Sequence, residues 1–129
     1  QKGKLTADVV FWFKEQQKFI NHKLNFIFCD SAEPDRIQEM VLAGLNAYSS
    51  EKEIAAGCNT VRTSFRNNQI LLGEHCLNTQ NEVLTLRYPQ EDEPGFGSET
   101  IFIGNDHACD GVLRYPIHTY KKEILGLTF

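Results

Sequence analysis

Apolar positions along the chain change their spacing several times, and each change predicts an element. From about residue 7 to 21 they fall at Val9, Phe13 and Ile20, with Trp12 and Phe19 seven apart. With Thr6 as a cap and Asp8 in the first turn, this predicts a helix ended by Asn21-His22-Lys23. Asn25 to Cys29 is a short aromatic and β-branched run, the pattern of a buried strand, and Asp30 stands directly at its C-terminal end. Pro34 suits the first turn of a second helix, with Ile37, Val41 and Leu45 as its stripe and Gly44 placed to stop it. Residues 45–48 then read as a second strand. A strand–helix–strand unit normally joins parallel strands through a right-handed crossover.

Beyond the polar connection at 49–53, Ile54, Cys58, Val61 and Phe65 recur at steps of four, three and four, predicting an amphipathic helix broken by Asn67-Asn68. Gln69 to Leu72 reads as a third strand, and Leu77, Val83, Leu84 and Tyr88 as a helix ended before Pro89. Residues 89–98, rich in Pro, Gly and acids, predict a loop, and 100–103 a strand or extended segment. Asn105 or Asp106 then caps a helix through Arg114, which Pro116 should end or kink.

Helices alternating with strands make the chain α/β. Its 129 residues, 41% hydrophobic and 23% charged, suit one folded domain rather than a disordered chain. No apolar run reaches the roughly 18 residues of a membrane span and no signal peptide opens the chain, so a cytosolic protein is expected. The polar start Gln1-Lys2-Gly3-Lys4 looks like the middle of a longer protein. A net charge of −4 argues against a broad phosphate-binding surface, although a bound cation can supply local positive charge. Cys29, Cys58, Cys76 and Cys109 form no CxxC pair and are expected as buried, reduced thiols. His75-Cys76 and His107-x-Cys109 lack the usual spacing of zinc ligands.

Two places carry candidate chemistry. Asp30, closely followed by Glu33, lies where functional groups collect in open α/β sheets, just beyond the carboxyl end of a strand; a helix-capping or surface aspartate is the plainer reading. In 105–110, His107 and Asp110 are spaced to share a helix face, as are Asp106 and Asp110. Carboxylates crowded in this way need a cation or an arginine, and Arg114 stands four residues on, so an ion pair and a metal site are both open. Carboxylates from separated segments suit Mg²⁺ or Mn²⁺ and phosphodiester hydrolysis, with a nearby histidine in proton transfer.

The stretch Phe28-Cys29-Asp30-Ser31-Ala32-Glu33-Pro34 resembles the strand-end Asp-Ser-Ala-Glu-Pro motif of the large terminase subunits of tailed phages. Ala56-Gly57 through Phe65, then Gln69 to Leu72, resembles the helix and strand that follow it. Asn105-Asp106-His107-Ala108-Cys109-Asp110-Gly111-Val112-Leu113-Arg114-Tyr115 is similar to the family's closing signature of Asp-His, Asp and Arg-Tyr. The matches come in the family's order and span most of the chain.

The resemblance implies that residues 1–129 are an N-terminally truncated C-terminal nuclease domain. Its fold would be RNase H-like, a mixed sheet flanked by helices and lacking the first strands. It implies an endonuclease that cuts concatemeric double-stranded DNA during genome packaging, in the cytoplasm of the bacterial host. Two metal ions, Mg²⁺ or Mn²⁺, would be held by Asp30 and Asp110, with His107 as a further catalytic residue. Glu33 and Asp106 are less certain ligands, and Arg114 and Tyr115 read as structural. Partners would be the terminase ATPase domain, the small terminase subunit and the portal.

Some features depart from the family. The family's first metal acid is not visible, since Asp8 falls on a helix; residues 1–5 read as the tail of a third strand. Pro116 interrupts a helix that members usually continue, and no GxxxxGK[ST] loop is present. A strand left without its neighbour would expose an edge through which the fragment self-associates, and weak metal binding with little cleavage is expected. The alternative is a non-catalytic remnant or docking module of the packaging motor. A transposase or resolvase core is a third reading, against which the Asp-Ser-Ala-Glu-Pro run speaks. Lys52, Arg62 and Arg66 are candidates for DNA-backbone contacts, with a solvated helix face as the plainer account.

Overall fold

A computed structural model describes residues 6–98, 100 and 102–127. The chain divides into two compact units, residues 1–50 and 51–129. The expectation for residues 1–5 lies outside the described residues, as does part of the segment expected to be extended at 100–103.

In the first unit, α1 (Thr6–Ile20), β1 (Ile27–Cys29), α2 (Pro34–Leu42) and β2 (Ala47–Ser49) follow in order. The strands are parallel, with Ile27 opposite Ala47 and Cys29 opposite Ser49. Strand alternation sends Ile27 and Ala47 to one face, where they join Met40 and Leu45 in a core closed by Val9, Phe13 and Ile37. Phe26, Phe28 and Tyr48 cluster on the other face, with ring centroids about 6 Å apart. Gly44 follows α2 at φ +92°, a conformation that suits glycine, and turns the chain into β2.

The expected helix α1 forms, but it buries no residue completely. Phe19 is 85% exposed, and Trp12 and Ile20 are also exposed. The helix is apolar around much of its girth, and so small a core covers only part of it, at Val9, Val10 and Phe13. Likewise Val41, expected on the inner stripe of α2, is exposed, and Met40 takes its place.

The second unit holds α3 (Ile54–Arg66), α4 (Leu77–Thr85) and a final helical run. Residues 69–72 do not form the expected third strand: they carry no strand pairing, and Leu71 is 89% exposed. An apolar run this short has no strand identity without a neighbour to pair with. Among the described residues the sheet is therefore two-stranded and parallel, and the expected mixed sheet is not formed. A single antiparallel bridge joins Arg87 to Ile103, and beside it Tyr88 stacks on Phe102 at 4.7 Å. The expected loop at 89–98 is a series of turns, in which Glu93 accepts bonds from Arg87 at 2.6 and 3.0 Å.

Pro116 was expected to end or kink the last helix, and the helical run continues through it. The backbone widens into a π-helical turn at Cys109–Arg114, continues as α5 (Tyr115–Thr119) through Pro116, and widens again at Tyr120–Ile124. In the first wide turn Tyr115 N–H reaches back five residues to the carbonyl of Asp110. Pro116 thus stands in the first turn of α5, a position that proline tolerates. The N-terminal cap comes from elsewhere too: Glu82 of α4 accepts the Ala108 N–H at 2.9 Å.

Helix α3 buries Gly57, Thr60 and Ser64, not the apolar stripe. Cys58, Val61 and Phe65 are half-buried and instead line a cavity of about 160 Å³ with Leu86, Phe102 and Leu113. Gly57 is needed for the close approach: a Cβ there would come within 2.7 Å of Arg114 Cγ. Overpacking costs about 1–3 kcal/mol, more than the roughly 1 kcal/mol that alanine gains in helix propensity. Gly57→Ala is therefore expected to be net destabilising. Gly111→Ala, which meets open space, is expected to stabilise by about 0.5–1 kcal/mol. Urea unfolding of both variants checks the opposite signs.

Candidate functional site

Asp30 leaves β1 directly at its carboxyl end, in the first unit, and is exposed. Its Oδ1 accepts the N–H of Ala32 at 2.9 Å, so the side chain fastens the turn before α2. Asp30 and Glu33 also line a cavity of about 330 Å³ with Phe13, Arg36 and Met40. Arg36 pairs with Glu33 at 3.5 Å, an exposed contact of little energetic weight.

His107 and Asp110 belong to the second unit. His107 begins the final helical run and is exposed. Asp110 N–H donates to the carbonyl of Asp106 at 2.8 Å, and Asp110 itself lies inside the first π-helical turn. That bond spans four residues, so the α-helical spacing assumed for Asp106, His107 and Asp110 holds up to Asp110, and the backbone widens beyond it.

Arg114 settles the immediate partner of Asp110. Its Nε and Nη2 both reach Oδ1, at 3.1 and 3.0 Å. Its Nη1 donates to the Lys52 carbonyl at 3.1 Å, and the guanidinium lies 4.7 Å from the Tyr115 ring centroid. Arg114 is only 6% exposed, so its charge is compensated inside the fold. The ion pair expected between Asp110 and Arg114 is formed.

A buried polar seam extends from this pair, and the sequence reading passed over it. Thr60 Oγ1 donates to the carbonyl of Ala56 at 2.9 Å and lies 2.9 Å from His118 Nδ1. With the hydroxyl proton spent on Ala56, Nδ1 must carry the proton it shares with Thr60, which fixes the neutral tautomer. Ser64 Oγ donates to the Thr60 carbonyl, and Lys121 Nζ donates to Ser64 and to Gln69. Thr119 Oγ1 accepts the N–H of Glu51, and Lys122 reaches Glu51 and Glu53. The signal was present as a second period, Gly57, Thr60 and Ser64 facing Arg114, His118 and Lys121, hidden beside the stronger apolar stripe.

The cysteines are free, as expected, but none is fully buried and Cys76 is exposed. Burial pushes the thiols of Cys29 and Cys58 up. Cys109 reaches about 11, through burial and then the carboxylates of Glu82, Asp110 and Asp106. Within either unit, no three His, Cys, Asp or Glu side chains among the described residues are grouped to hold a metal ion. The described residues of each unit thus do not by themselves fit a metal centre. Of the candidate DNA-contacting cations, Arg62 is engaged with Tyr88, donating to its hydroxyl at 3.2 Å.

The chain has no significant match among protein-family models, characterised proteins or solved structures. No helix among the described residues is long and apolar enough to cross a membrane.

His118 is fully buried, and that burial holds its pKa below the ordinary 6.5. The folded state therefore resists a proton that the unfolded chain accepts. Its contribution to stability is complete above pH 6.5 and is lost as pH falls through the lowered folded value. Thermal melts between about pH 8 and about pH 5 should show this decline, and His118→Gln should flatten it.

Proposed function

We propose that the chain is part of the nuclease lobe of a phage-type large terminase subunit, RNase H-like in fold. Its activity would be metal-dependent cleavage of double-stranded DNA, with Asp30 and Asp110 as cation-binding acids. The observation that carries the reading is the placement of Asp30. It stands at the carboxyl end of the first strand of a parallel strand–helix–strand unit, within the Asp-Ser-Ala-Glu-Pro run that suggested the family. The resemblance of residues 105–115 to the closing signature supports it from the other end of the chain. His107, exposed at the start of that helical run, is the candidate for proton transfer.

A second reading has its own support. The Asp110 carboxylate is already compensated by Arg114, which suits a non-catalytic docking module of the packaging motor. The partners under either reading are the terminase ATPase domain, the small subunit and the portal.

Supercoiled plasmid incubated with the chain and Mn²⁺ distinguishes the two. Slow nicking is expected, reduced at least about 100-fold by Asp30→Asn and by Asp110→Asn, with melting temperatures changed little. Nicking that both variants retain would rule out these residues as the acids. A folded chain with no Mn²⁺-dependent nicking favours the docking module.

A further inference from the structure

We propose that the cavity walled by α3, α4 and the final helical run is a binding site for a free small molecule bearing a single aromatic ring. The proposal is independent of the nuclease reading and uses neither Asp30 nor His107.

The lining comes from separate stretches of the second unit. Val61 and Phe65 belong to α3, Val83 to α4 with Leu86 just beyond it, and Leu113 to the first π-helical turn; Phe102 stands beside the Arg87–Ile103 bridge. Leu113 is buried and the other five are half-buried, so the apolar wall is reachable from solvent. Such a wall keeps its shape when each stretch is fixed by contacts outside the cavity. Here the Gly57–Arg114 contact fixes α3 against the final run. Phe102 is fixed by stacking on Tyr88, over whose ring the Arg62 guanidinium lies at 5.3 Å. The site is therefore preformed, as sites for small molecules usually are.

Size and lining select the ligand. An apolar cavity of about 150 Å³ admits one benzene ring and holds water poorly. This one measures about 160 Å³. The charged groups in its lining are engaged, Arg114 with Asp110 and Arg62 with the Tyr88 hydroxyl, which leaves little for water or a strongly polar ligand. Phe65 and Phe102 offer ring contacts, and Cys58 and Cys109 add polarisable sulfur, a favourable neighbour for an aromatic ring. Burial keeps both thiols protonated at neutral pH, so neither brings a charge to the wall. A saturated ring of the same size gains the burial without these contacts.

The test is a titration of the full chain with phenol, followed by amide NMR, with circular dichroism to establish folding. A ligand of this size supports a dissociation constant on the order of 1 mM. Support is a set of saturable shifts centred on Val61, Leu86 and Leu113, with cyclohexanol bound about threefold more weakly. Val61→Phe and Val83→Phe each place a ring in the cavity and are expected to weaken phenol at least about tenfold. Val112→Phe, exposed and outside the lining, should leave the affinity within about twofold. A folded parent with no saturable shifts at about 10 mM phenol overturns the proposal. So does an affinity that a folded, filled variant retains, because the ring then binds elsewhere. If Val61→Phe does not fold, Val83→Phe decides, and if neither folds the position of the shifts in the parent decides. Cyclohexanol bound as tightly as phenol overturns the assignment to an aromatic ring.

Discussion

A buried guanidinium must be compensated wherever it sits, and the second unit is arranged around meeting that demand at Arg114. Asp110 supplies the opposite charge and the Lys52 carbonyl takes a further N–H, while Tyr115 stacks on the planar group. The aliphatic stem needs room, and only a glycine at position 57 provides it. That contact brings α3 close enough for the rest of the seam, in which Thr60 meets His118 and Ser64 meets Lys121. Each such bond contributes only about 0.5–1.5 kcal/mol net, but leaving one partner buried and unsatisfied costs about 1–3 kcal/mol. The seam therefore works through specificity: it penalises any other register of the two helices.

The first unit obeys a different constraint. Its order comes from a strand–helix–strand crossover closed by a few apolar side chains, with α1 laid over them through Val9 and Phe13. This part was legible. The aromatic run before Asp30, proline at the head of α2 and glycine at its end are local signals whose meaning does not depend on distant residues. Helix α3 was legible for the same reason, down to its break at Asn67 and Asn68, the latter at φ 57°.

What failed was whatever depended on a partner. Residues 69–72 have the composition of a strand but pair with no neighbour among the described residues. The inward face of α3 was misassigned because hydrophobicity marks the apolar stripe, whereas the closest helix contact selects small residues that let the backbones approach. Pro116 was read as an end or a kink, but the π-helical turn before it leaves it in the first turn of α5, where proline is tolerated. Glu82 as the cap of the last helix is separated from Ala108 by too long a stretch of chain for local spacing to reveal.

The candidate site divides along the same line. Asp30 could be placed from sequence because its position follows from where a strand ends. Asp110 could be named but not interpreted, since a metal ligand and an ion-pair anchor share the same spacing to Arg114. What the structure adds is that the buried guanidinium of Arg114 holds this carboxylate through Oδ1. The position of that guanidinium is in turn set by its packing against Gly57 and Tyr115, not by the motif residues themselves.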